Sequence, residues 1–395
     1  MKTLIELYDE RASENVIGVE TFKPETAIYL CEPEIADNKE MLTKLRDYFT
    51  YRGLSVKVEF LSVGKYEADK MYEQLVSIAE KYLDCALDVT GGSDAALVAA
   101  GMFAKTSNVP VFTYSRKKNT FYNISNADFA ADKVCELEYS VADFFKMAGG
   151  QLRKGRVDNN VLGQYMDKYE AFYKVFDNDR RGWARDINFM QRISQLGFEE
   201  PIRLDVSGSY YQKGERGGQI YANEHFLHDL EELGFIKNLH IVKDESVAFD
   251  FVDETVRNWL RDVGSFLELY TYKKCIDAGI FNDVISSAIV DWDGTNEKDS
   301  VSNEIDAMAT RGIVPLFISC KATQIKTEAL NELAILRDRF GGKGAKAAIV
   351  TTEYCNAATR HRAAQLGITV IDREELESGG MVDRLKTIMK VKNAE

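Results

Sequence analysis

The sequence predicts an α/β protein of two compact domains joined by a bridging region. Between residues 26 and 145, short β-branched runs alternate with helix-length segments, the pattern of a parallel sheet with crossover helices. Past residue 253 the order of elements becomes α-β-β-β-α-β, a different layout. At 395 residues the chain is too long for one ordinary core, and an apolar content of 45% is enough for two.

In the first domain, residues 1–149, strands are expected at 27–31, 55–63, 85–90 and 109–115, with helices at 39–51, 66–81 and 94–105. Such a Rossmann-like sheet takes ligands beyond the carboxyl ends of its strands. Residues 150–252 are more polar and aromatic, with loops expected around 208–214 and Gly217-Gly218. A helix at 225–233 and a hairpin of 236–242 with 246–251 leave two readings there, a plain connector or a winged-helix remnant. The last domain, 253–395, opens with one long helix at 254–278, followed by strands at 284–292, 301–310 and 313–321. A helix at 325–340, a buried strand at 345–351, another helix and a strand at 368–371 complete it.

The net charge of −13 argues against broad adhesion to nucleic acid, which draws on clustered Lys and Arg, but leaves room for a local basic cleft. Lys326, Arg337, Arg339, Lys343, Lys346, Arg360 and Arg362 are candidates for a phosphate-facing surface or ordinary solvated charges. No apolar run nears the ~20 residues of a membrane span, and the first residues lack a signal-peptide stretch. A cytoplasmic protein is expected. The six cysteines show no CxxC pair and read as buried thiols in a reducing compartment. The four histidines are too dispersed for a histidine–metal centre, and His225 and His228 read as an exposed helix face.

Strand alternation puts Glu304 and Asp306 on one face, and Ser319 and Lys321 on one face of the next strand, with Ile318 and Cys320 opposite. Glu268 interrupts the apolar face of a helix expected to press on that sheet, where an acid needs a reason. An Asp–Lys corner approached by a helix-borne Glu suits metal-assisted phosphodiester hydrolysis: carboxylates hold Mg²⁺ or Mn²⁺, and lysine orients water or balances charge. The same residues also fit exposed strand charges. Asp291 and Asp293 are expected to be solvated loop acids.

Residues 254–352 resemble the restriction-endonuclease-like PD-(D/E)xK nucleases. The resemblance implies metal ligation by Asp306, Glu268 and the carbonyl of Cys320, catalysis by Lys321, and Glu304 as a further candidate. Ser319 stands where that motif has an acid, and Glu268 is then the migrated carboxylate.

In the first domain, the strand at 85–90 runs into Thr90-Gly91-Gly92-Ser93-Asp94 and a helix. Glycines allow close backbone approach and a helix N-terminus offers N–H groups to an anion, although a tight turn capped by Ser93 or Asp94 fits equally. Residues 1–150 resemble a CARF domain, the sensor of cyclic oligoadenylates in type III CRISPR defence, on this turn and the alternating sheet. Joined to the nuclease-like part, the chain is similar to CARF nucleases switched on by cyclic tetra-adenylate. That similarity implies a homodimer holding one nucleotide ring across its twofold axis, lined by Thr90, Gly91, Gly92, Ser93 and Asp94, with Arg116 and Lys117 reaching its phosphates. The activity expected is endonucleolytic cutting of single-stranded RNA or DNA, with nicking of duplex DNA. Two alternatives are a ligand-sensing transcription regulator, against which the acidic 225–233 helix counts, and a ring nuclease with its chemistry in the first domain.

Overall fold

Among the described residues, twelve of the seventeen strands lie in two six-stranded sheets. The computed structural model describes residues 1–153, 163–165, 167–194, 203–214, 218–292 and 302–390. The first sheet contains β1 (Thr3–Leu7), β2 (Thr26–Cys31), β3 (Lys57–Ser62), β4 (Cys85–Asp88), β5 (Val111–Ser115) and β6 (Thr120–Ser125), in the order β3-β2-β1-β4-β5-β6. Five are parallel, and β6 returns antiparallel beside β5. The central strand β1 and the edge strand β6 are absent from the sequence reading. All five residues of β1 are buried, as a central strand covered on both faces requires, so Thr3-Leu4-Ile5-Glu6-Leu7 shows no alternation to read. The helix Asp94–Thr106 starts where Ser93 accepts a hydrogen bond from the Ala96 N–H, so the capping role expected for Ser93 is realised.

β7 (Gln151–Arg153) is not part of a bridge: it is the edge strand of the second sheet. After it, β8 (Asp205–Ser209), β9 (Tyr211–Lys213), β10 (Gln219–Tyr221), β11 (Ile236–Val242) and β12 (Ser246–Phe251) form a three-stranded sheet, β11-β12-β8, and a small hairpin of β9 with β10. The stretch 208–214, expected as loop, is therefore largely strand. The helix Glu224–Glu232 and the helices Tyr169–Asn178 and Arg180–Ile193 pack here around Phe172, Trp183, Leu227 and Phe249. This middle segment shares one core with Leu267, Leu316 and Ile318 of the following domain, so it is packed structure and more than a connector.

The second sheet continues with β13 (Asp283–Asp291), β14 (Ser302–Arg311), β15 (Val314–Lys321), β16 (Lys346–Thr351) and β17 (Ile368–Ile371), in the order β17-β16-β15-β14-β13-β7. The single helix expected at 254–278 is two helices, Glu254–Trp259 and Ser265–Asp277. The Asp253 side chain caps the first, and the chain turns through Gly264 before the second. Among the described residues no helix is long and apolar enough to cross a membrane. All six cysteines are free thiols, five of them buried.

The two large sheets share packing. One continuous core holds Leu4, Tyr29 and Phe112 from the first with Val290, Met308 and Phe317 from the second. The Tyr139 N–H donates to the Gly312 carbonyl at 2.9 Å, and the Val141 N–H to Asp283 at 2.8 Å. Gly342, at φ 67°, lies so close over the Ser13 hydroxyl that no side chain would fit between them.

Candidate active site and ligand edge

The acid–lysine corner forms where β14 and β15 part. Their pairing ends at Ala307 opposite Ile318, which frees the next residues of both strands. Oδ2 of Asp306 accepts hydrogen bonds from the Cys320 N–H at 2.6 Å and the Ser319 hydroxyl at 3.0 Å, and lies 3.5 Å from Nζ of Lys321. N–H and C=O of one strand residue point to the same side, so the Cys320 carbonyl also faces Asp306. Its thiol faces away, against Thr271 and the Leu267 carbonyl, as alternation required.

Glu268 reaches this corner from the helix Ser265–Asp277. Its Oε2 accepts from the Ser287 hydroxyl at 2.6 Å. Burial first, then the Asp306 carboxylate, pushes the Glu268 carboxyl up to about 8, and Glu304 adds to the same shift. Glu304 is itself exposed, toward the solvent end of β14.

Ser287 escaped the sequence reading. It sits in the middle of β13 at φ 50°, a left-handed conformation unusual for serine. At this level the in–out alternation of both strands slips. Ile285 and Met308 face the core shared with the first domain, and so do Val290 and Ile305, although each strand's two residues differ in parity. The slip aims Ser287 at the Glu268 helix. A Ser286-Ser287 pair in a strand of apolar residues carries no signal of this.

The oxygen donors of Glu268, Asp306 and the Cys320 carbonyl suit a hard divalent cation that keeps some of its waters. The raised Glu268 reflects burial first and then the neighbouring Asp306 carboxylate, both of which a bound cation would offset. Among the described residues no three His, Cys, Asp or Glu side chains converge, so water and backbone would complete the shell. Ser319 supplies a neutral hydroxyl where a third acid would stand. Asp291, expected to be solvated, is fully buried, with its Oδ2 2.6 Å from Nη2 of Arg153; the edge strand β7 brings that arginine in. Asp293 lies outside the described residues.

At the carboxyl edge of the first sheet, Gly92 and Ser93 line a cavity of about 340 Å³ with Tyr8, Arg11, Glu32 and Lys65. The loop after β1 was missed with its strand. Gly92 takes φ 100°, and Gly91 packs against the Leu7 carbonyl and Glu14, so both glycines are required. Thr90 turns inward: its N–H donates to Oδ1 of Asp88 at 2.8 Å, and its hydroxyl bonds the same oxygen. Asp94 opens the helix behind the turn. Arg116 and Lys117 are placed elsewhere, lining a second cavity between the domains. Nη2 of Arg116 lies 2.7 Å from Oε1 of Glu14 and donates to the Ser13 hydroxyl at 2.8 Å.

A buried acid pair lies behind this edge. Glu6 and Asp88 are opposite in register, and both Glu6 carboxylate oxygens and Oδ2 of Asp88 lack a hydrogen-bond partner. Burial pushes Asp88 up to about 7 and raises Glu6 well above its usual value.

Residues 253–391 match the family model of the Card1-like endonuclease domain. No curated protein sequence matches the chain. Among solved structures, protein VC1899 from Vibrio cholerae aligns over 98% of both chains at 16% identity and a TM-score of 0.76. Can2 from Sulfobacillus thermosulfidooxidans, solved in complex with cyclic tetra-adenylate, aligns over 99% of both chains at 18% identity and a TM-score of 0.68. Residues 253–391 therefore match a Card1-like endonuclease domain behind a Rossmann-like domain, and the whole chain shares the fold of VC1899 and Can2.

Proposed function

We propose that this protein is a cyclic tetra-adenylate-activated, metal-dependent endonuclease of type III CRISPR antiviral defence, cutting single-stranded RNA or DNA and nicking duplex DNA as a homodimer. The observation that carries the reading is the meeting of Glu268, Asp306 and Lys321 at one parted strand pair inside an endonuclease-type domain. Glu268, Asp306 and the Cys320 carbonyl would hold Mg²⁺ or Mn²⁺. Such an ion supplies charge to the phosphoryl oxygens and makes a bound water more acidic. Lys321, half-exposed beside Asp306, orients the attacking water or balances charge on the phosphoryl oxygens. Ser319 and the Cys320 N–H hold one Asp306 oxygen, leaving Oδ1 for the cation.

The ring would sit on the edge formed by Thr90, Gly91, Gly92, Ser93 and Asp94 with the loop after β1. Asp9, Glu10, Glu32 and Glu34 outnumber Arg11 and Lys65 in that cavity, so its acids suit adenine amines and ribose hydroxyls. The phosphates then fall to the backbone N–H groups of the turn and to the two cations. The test is incubation of the purified chain with labelled single-stranded RNA and DNA, with and without Mn²⁺ and cyclic tetra-adenylate. Cutting that needs both additions supports the reading; cutting that ignores the ring, or no cutting under any condition, sinks it.

A further inference from the structure

A cavity of about 1010 Å³ separates the Rossmann-like domain from the endonuclease domain, at the end of the second sheet opposite the catalytic corner. β15 runs from Val314 at this cavity to Lys321, roughly 23 Å at the usual strand rise, so substrate held at Asp306 does not fill it. Its lining is predominantly basic, six cations against Glu136 and Glu138. Arg116, Lys117 and Lys118 stand on the first-domain wall, and Arg311, Lys346 and Lys390 on the other. Among the described residues, Lys117, Lys346 and Lys390 have no ion-pair partner, and Lys118 lies over the Tyr122 ring at 5.6 Å. Lys346 is half-buried, and burial, Lys390 and Arg337 together depress its ammonium. Lys117, Lys346 and Lys390, gathered from two walls with no ion-pair partner among the described residues, repel one another until an anion enters.

We propose that this interdomain cleft binds a nucleotide polyphosphate, its phosphates between the two basic walls and its base against Ile280 and Phe281. Both apolar residues line the same cavity. The volume is that of a small-molecule site at a domain junction. Exposed Glu136 and Glu138 also line it, so a long strand continuing out of the cleft would meet like charge, whereas a compact polyanion would not. This site is separate from the cavity at Gly92 and Ser93 and independent of what binds there. Its occupant would join walls already linked by the Tyr139–Gly312 bond.

The test is calorimetric titration of the full chain, in EDTA to prevent cutting, with ATP, with tripolyphosphate and with a short linear DNA strand. The expected result is saturable, salt-sensitive ATP binding, with weaker tripolyphosphate binding because the base is missing. Affinity should fall at least about tenfold in the double variant Lys346→Gln, Lys390→Gln, as loss of charge-assisted contacts implies. Lys117→Glu with Lys118→Glu changes only exposed residues on the opposite wall, guards against a folding defect, and should show the same loss. Absence of ATP binding by the unaltered chain would overturn the proposal. So would an ATP affinity unchanged in both variants, which would place the nucleotide at the other cavity, or binding of the DNA strand that ATP fails to displace.

Discussion

The Ser287 hydroxyl donates to Oε2 of Glu268 at 2.6 Å from a strand residue held at φ 50°. That bond anchors an acid whose carboxyl is pushed to about 8, far above its usual 4.5. A raised acid keeps its proton through neutral pH, so a cation must displace that proton to bind. Mn²⁺ affinity should therefore climb with pH, by about tenfold per unit between about pH 6 and about pH 8, and level off above. Glu268→Gln should remove both this slope and cutting. A flat affinity profile in the unaltered chain would return Glu268 to a packing role.

Asp306 and Lys321 touch each other but should fail differently. Asp306→Ala removes a proposed metal ligand and should lower both Mn²⁺ affinity and cutting by more than about 100-fold. Lys321→Ala should lower turnover by about 100-fold at saturating metal while metal affinity stays within a few-fold. Ser319→Glu adds a third acid beside Asp306, and Mn²⁺ should bind it more tightly while the metal-free protein melts lower. Weaker Mn²⁺ binding by Ser319→Glu would mean that the corner is built around the hydroxyl.

The Glu6–Asp88 pair makes stability depend on pH in a definite direction. Asp88 is raised from 3.8 to about 7, so folding takes up protons. The stability tied to this group is full below the unfolded value and is lost as pH climbs through the folded one. Asp88→Asn keeps an acceptor for Thr90 and points an amide at the unpartnered Glu6 oxygens. Its stability should exceed that of the unaltered chain by about 1–3 kcal/mol near pH 8, with the gap closing toward pH 5. Thermal melts across that range check it; a gap that does not change with pH would contradict the raised carboxyl.

These sites were unequally legible in the sequence. The Asp306-Ser319-Lys321 corner follows from alternation within single strands, which is local information, and the structure brings those residues together. The helix break at Gly264 left Glu268 on the right face, because its position depends on the helix Ser265–Asp277 alone. What escaped depends on residues far apart in the chain. β1 is buried on both faces and shows no period. Asp291 reads as a loop acid until the distant β7 brings Arg153 to it. Arg116 follows a strand at the correct edge, but a loop from the other domain and Glu14 turn it into the interdomain cleft.

That placement of Arg116 bears on how a bound ring would control cutting. With the anion-suited turn and the proposed catalytic corner in separate domains, coupling through the proposed homodimer alone is one route. The packing supplies a second, within one chain. A side chain on Gly91 would meet Asp9 and Glu14, Glu14 holds Arg116, and the Arg116 side chain passes close to Gly344 at the turn before β16. β16 pairs with β15 through Lys321. A ring that pressed on the turn at Gly91 in one arrangement only would bias this chain of contacts by its differential affinity, and by nothing else. Gly91→Arg is a poor probe, because a side chain there meets the Leu7 carbonyl and would disturb turn and relay together. Glu14→Gln is cleaner: it weakens the grip on Arg116 and leaves the cavity lined by Gly92 and Ser93 unchanged. It should bind cyclic tetra-adenylate within about threefold of the unaltered chain yet lose about 1–3 kcal/mol of coupling, roughly 5- to 150-fold in activation. Arg11→Glu with Lys65→Glu should do the reverse, losing ring affinity while cutting at saturating ring recovers. Full activation of Glu14→Gln at saturating ring would show that the signal passes through the dimer without using this contact.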